Sequence, residues 1–269
     1  MYLNKILFVV FSSLHVFCFS QKSNVDSLRA KFNYNLKYKP LKDNNEYKVS
    51  EKYSLLVSDK RSFFINENSL KFDSAYAAQS NENTNTFDFR NVAPSKSTYL
   101  IIQKSDEIQF FENVARVVLS YNDAIISNWK LIDEHKIINS INCKKAEVNY
   151  KGRNWVAWYS TEIPVPFGPY KFTGLPGLII KITDSNEIFD FELIESVSSR
   201  KLKGQVVSIN KNRYVNPKVI TKQELLKARE NYRNNLRYEL ESSGTVFSDR
   251  PKVSNEVKDK YNLIEKDEQ

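Results

Sequence analysis

Apolar and polar residues alternate along much of this chain with a period of two, the spacing of β-strands, in which successive side chains point to opposite faces. Phe32, Tyr34, Leu36 and Tyr38 alternate with Asn33, Asn35 and Lys37, predicting a half-buried strand that ends at Pro40. Shorter apolar runs at 53–57, 62–65, 99–103, 108–111 and 117–121 predict further strands, the first two joined by a turn at 59–61. Residues 67–80 carry a weak helical pattern, and 81–97 read as a polar loop rich in Asn, Thr and Ser.

The pattern is clearest between 125 and 197. Ala146, Val148 and Tyr150 alternate with Lys145, Glu147 and Asn149; Lys151, Gly152 and Arg153 supply a turn, and 154–162 return. Leu178, Ile180 and Ile182 alternate with Lys181 and Thr183, and after a turn at 184–187 Phe189, Phe191 and Leu193 alternate with Asp190 and Glu192. Two such hairpins predict an antiparallel meander with one wet face. The strand at 154–160 is the exception. Trp155, Ala157 and Tyr159 fall on one face, Val156 and Trp158 on the other. Apolar residues on both faces predict cover on both sides, by a C-terminal helix on one and by the connection after the strand on the other.

That helix is predicted to start at Thr221, whose spacing to Glu224 is that of a capping box. Leu225, Leu226, Ala228, Tyr232, Leu236 and Leu240 form its apolar stripe, and Gly244 ends it. The predicted fold class is therefore mainly β: a β-rich α+β chain with a curved antiparallel sheet or half-barrel covered by helix, and one C-terminal amphipathic helix. There is no internal repeat.

The termini set the compartment. Lys5 precedes an apolar run from 6 to 19, and Ser20 is a small residue at the expected cut before Gln21, the pattern of a secretory signal and too short for a comfortable bilayer span. Phe17 before Cys18 argues against a lipid-modified cysteine. The domain reading is a signal at 1–20, one β-rich domain at 21–248 and a charged, disordered tail at 249–269. No later stretch has the ~18 apolar residues of a membrane helix.

Composition narrows the chemistry. Losing Lys5 with the signal takes the formal charge of +8 to +7, and because basic residues alternate with acidic ones, a nucleic-acid-binding face is not expected. Only Cys143 and His135 survive processing, so there is no intrachain disulfide, no multi-histidine metal site and no cofactor expected. Cys143 is expected to be a buried thiol.

The connection after 154–160 holds four of the eight prolines (Pro164, Pro166, Pro169, Pro176) and three of the six glycines (Gly168, Gly174, Gly177). Backbone so constrained marks a structural corner or a site. Its segment Gly174, Leu175, Pro176, Gly177, Leu178, Ile179 resembles the motif of the GLPGLI family, and the similarity continues through Cys143 to Ala146, Gly152–Arg153, Ala157 to Tyr159, Glu162 to Pro164 and Gly168 to Phe172. The resemblance implies an exported protein of Gram-negative bacteria, of uncharacterised function, in the periplasm or at the outer membrane, with a TonB-dependent receptor or other envelope component as partner. In strand order the chain is also similar, more loosely, to the lipoprotein-carrier half-barrel.

Three functions remain open. The leading one is a non-catalytic binding or carrier module for an apolar, lipid-like or peptide ligand, held by Trp155, Trp158, Tyr159, Tyr170, Phe172 and Leu175. A hydrolase would use Ser160, Glu162 and Lys171, or Glu162 with Asp184 as paired carboxylates, with no histidine to serve Ser160. The third is a structural partner in an envelope complex.

Overall fold

The alternating run at 32–38 forms β1 (Ala30–Tyr38) in a computed structural model that describes residues 26–80, 88, 90–95, 97–244 and 261–266. The signal segment lies outside the described residues, as does most of 81–89. The chain continues through β2 (Val49–Val57), β3 (Ser62–Asn66) and α1 (Glu67–Ser80), then β4 (Leu100–Gln103), β5 (Glu107–Val114) and β6 (Val117–Ala124). The meander follows as β7 (Lys130–Ile138), β8 (Ile141–Tyr150), β9 (Arg153–Ser160), β10 (Leu178–Asp184) and β11 (Phe189–Val197). A short α2 (Ser199–Leu202), β12 (Lys218–Val219) and α3 (Lys222–Ser242) complete it.

The strands form one curved, open sheet in the order β12-β6-β5-β4-β3-β2-β1-β11-β10-β9-β8-β7. Every pairing is antiparallel except β12 with β6, so the mainly β expectation holds. β1 joins the two halves, paired with β2 on one side and with β11 on the other. The capping box forms as its spacing predicts: the Glu224 side chain accepts from the Thr221 N–H at 2.7 Å, and Thr221 Oγ1 from the Glu224 N–H at 3.2 Å.

Two cores result. The inner face carries a large cluster that includes Tyr34, Tyr53, Phe64, Phe110, Trp155, Phe172 and Phe191. The outer face of β2–β5 carries a second, with Leu56, Phe63, Ile65, Leu70 of α1, Leu100 and Phe111. The strands covered on both faces are therefore β3 and β4, whose every residue is buried, and their unbroken apolar runs (Phe63 to Ile65, Leu100 to Ile102) are what two-sided cover selects.

This corrects the expectation for β9. Trp155, Ala157 and Tyr159 are buried, but Val156 and Trp158 are only half-buried on the outer face. α3 lies against β5 and β6. Trp158 is instead flanked by its register partners Lys145 and Lys181, and the Lys136 ammonium stands 5.7 Å from its ring centre. Long lysine stems cover apolar surface while their charges stay in water, so an aromatic can face outward without a helix above it.

Candidate functional site

The connection between β9 and β10 folds onto the inner face of the sheet and fills it. Two glycines allow this. A Cβ at Gly177 would lie 2.1 Å from the Ser160 carbonyl oxygen, and one at Gly174, where φ is +93°, would lie 2.4 Å from that of Ile126. Backbone approaches backbone too closely at both for any other residue. The loop is then pinned: the Thr173 hydroxyl donates to the Pro166 carbonyl at 2.7 Å, and the Trp129 indole to the Thr173 carbonyl at 2.9 Å. From β4, the Gln103 amide donates to the Gly168 and Tyr170 carbonyls at 3.2 and 2.7 Å.

Tyr170, Lys171, Phe172 and Leu175 are all buried by this packing. Phe172 lies 4.6 Å, ring centre to ring centre, from Trp155, and Tyr170 lies 6.2 Å from Tyr99 and 6.4 Å from Phe191. Tyr99 directly precedes β4, and β4 and β11 are four strand spacings apart, about 19 Å on a flat sheet. One side chain touches both because the sheet curls around the connection.

Of the six residues expected to hold a ligand, the structure brings together Trp155, Tyr159, Tyr170, Phe172 and Leu175 in the inner core and places Trp158 on the other face. The alternative catalytic set is not brought together. Ser160 is buried and accepts the Glu162 N–H at 3.3 Å, while Glu162 accepts from Asn142 at the surface. Lys171 points elsewhere. Asp184 is not paired with Glu162; it binds Arg153 at 2.8 Å and accepts the N–H groups of Ile188 and Phe189, closing the β10–β11 turn. Among the described residues no acidic, His or Cys cluster could hold a metal ion. A surface cleft near Phe72 and Phe111, beyond the outer core, has both its acids already paired, Asp73 with Arg213 at 2.7 Å and Glu112 with Arg229.

Sequence reasoning missed the charged cluster at the centre. The Lys171 ammonium, with no exposed surface, donates to Asp123 at 2.5 Å, to Glu265 at 2.7 Å and to the Tyr121 hydroxyl at 2.8 Å. Glu265 is 2% exposed, accepts from the Tyr170 hydroxyl at 2.7 Å and pairs through its second oxygen with Lys222 at the start of α3. Residues 261–266 are thus docked, which corrects the expectation of a disordered tail for those six; 249–260 and 267–269 lie outside the described residues. The signal was faint, since a lysine among aromatics and a glutamate in a charged tail both read as solvated.

Burial pushes the Glu265 carboxyl up, but the Lys171 and Lys222 ammoniums outweigh it and hold the group at about 2, against an ordinary 4.5. A depressed acid stabilises the fold fully above its unfolded value and loses that contribution as pH falls through the folded one. Wild type is therefore expected to exceed Glu265→Gln in unfolding free energy by up to about 3 kcal/mol at pH 6. Urea titrations should show that margin constant down to about pH 5 and closing toward pH 2.

Cys143 is 1% exposed, and burial raises its thiol above the usual range. Native protein should react with a bulky maleimide far more slowly than unfolded protein, and Cys143→Ala should cost about 1 kcal/mol in packing.

A family described as a protein of unknown function (Porph_ging) has a model that matches residues 128–181, from just before β7 into β10. No curated protein matches. Among solved structures, that of PNGF-II in a P21 crystal form is similar at 15% identity and a TM-score of 0.45, over 75% of this chain and 34% of that one. The C2 form gives 14% and 0.47, over 76% and 33%. This chain spans about a third of their length.

Proposed function

We propose that this protein is a non-catalytic binding module of the bacterial envelope whose ligand is a polypeptide: a segment of an outer-membrane receptor or of another envelope component. The observation that carries this reading is the filled inner face. A lipid-like ligand would have to displace Tyr170, Phe172 and Leu175, which Gly174, Gly177 and Gln103 hold in place. The separation of Ser160, Glu162 and Lys171 argues in the same direction against hydrolysis. Export and cleavage after Ser20 are part of the proposal.

The test is to purify the mature protein from its own envelope and examine it by native mass spectrometry, with lipid extraction and titration of an apolar fluorescent probe in parallel. We expect a polypeptide adduct and no saturable uptake of probe. One tightly retained lipid per chain overturns the reading.

A further inference from the structure

The six docked residues of the tail occupy a groove built from four parts of the chain. Tyr261 bridges to Leu41 just after β1, and the Asn262 N–H and side-chain amide donate to the Pro40 and Lys39 carbonyls, each at 2.8 Å. Arg153, 3% exposed, gives the Leu263 carbonyl two bonds from its guanidinium, at 3.0 and 2.5 Å. Ile264 packs against the inner core. The Glu265 carboxylate enters the pocket of Lys171, Lys222 and Tyr170, and the Lys266 N–H donates to the Lys151 carbonyl at 2.8 Å. Backbone is read at three positions, one apolar side chain is seated and one carboxylate is neutralised. This is how an extended peptide is recognised.

Two features distinguish such a groove from ordinary core. First, its buried cations do not depend on the tail: Lys171 keeps Asp123 and Tyr121, and Arg153 keeps Asp184, if residues 261–266 leave. Departure of the tail strands no charge. Second, the tail is set apart in sequence from every element that builds the groove: the 16 residues 245–260 separate it from Gly244, just past the end of α3.

We propose that this groove is a peptide-binding site for an extended segment of a partner protein in which an apolar residue precedes a carboxylate, and that the chain's own residues 261–266 occupy it in the free protein. The proposal names the partner chemistry of the binding-module reading and rests on it. Retained lipid would overturn that reading, whereas failure of peptide binding would overturn this inference and leave that reading standing. A tail tethered through 16 residues competes at an effective concentration on the order of millimolar, so a partner must either bind tightly or present its segment close by.

The test uses the full mature chain and a fluorescent synthetic peptide with the sequence of residues 261–266. Glu265→Lys places a third ammonium against Lys171 and Lys222 and should expel the tail. That variant is expected to bind the peptide saturably and at least tenfold more tightly than wild type, whose groove is occupied. A peptide with Gln in place of Glu should bind at least tenfold more weakly. Equal binding of the two peptides, or no saturable binding to a folded Glu265→Lys chain, overturns the proposal, as does a variant that cannot fold. Hydrogen exchange on wild type gives a check free of substitutions. The Asn262 and Lys266 amides should exchange at least a hundredfold faster than those of β9 and β10, through local release; equal protection overturns the proposal.

Discussion

Lys171→Ala is expected to lower the unfolding free energy by about 3–5 kcal/mol, the cost typical of breaking a buried ion pair from one side. The ammonium serves two carboxylates and a phenol, and it stands 4.7 Å from the Tyr121 ring centre and 5.3 Å from that of Phe110. Release of the tail would free Glu265, and Asp123 keeps Lys151, so the loss should fall toward the lower end of that range. Lys171→Met combined with Glu265→Leu should recover most of the loss, since apolar replacements leave few charges to desolvate and Asp123 retains Lys151 at 3.0 Å. Equilibrium urea unfolding followed by tryptophan fluorescence measures both. A single variant no less stable than the double one would mean that the cluster does not hold the connection in place.

Trp155→Ala should cost about 3–5 kcal/mol and Trp158→Ala about 1 kcal/mol, although the two residues share one strand. Trp155 is 1% exposed, packs on Phe172 and donates to the Tyr150 carbonyl at 3.3 Å, so truncation opens a cavity between sheet and connection. Trp158 is only half-buried, and the stems of Lys136, Lys145 and Lys181 beside it can settle into the space. Denaturation midpoints of the two variants at unchanged m-value decide the matter. Equal losses would show that the outer face of β9 is core after all.

The strands were legible wherever burial is one-sided, because alternation then records which face is wet. β1, β8, β10 and β11 fall where the alternating runs predict them. The helix start was legible because a capping box is local: a span of four residues satisfies its donors. Turns were less legible. The β5–β6 and β7–β8 hairpins place Ala115–Arg116 and Asn139–Ser140 at φ between 51° and 69°, where glycine would be the expected marker. The aromatic residues of the connection read in the sequence as walls of a hollow. In the fold they are its filling, and nothing in their order along the chain distinguishes those two cases.

The sequence by itself determined the periods, and with them the existence of most strands, the side chains that share a face and the stiff Pro/Gly connection. Only the tertiary structure decided what covers each face and which charges are buried. Both depend on partners far apart in the chain: β1 is paired with β11, and Lys171 with Asp123 and Glu265, 48 and 94 residues away. A lysine and a glutamate carry the same local pattern whether water or protein surrounds them. The closing of the sheet around the connection is what brings them together and makes them a buried pair.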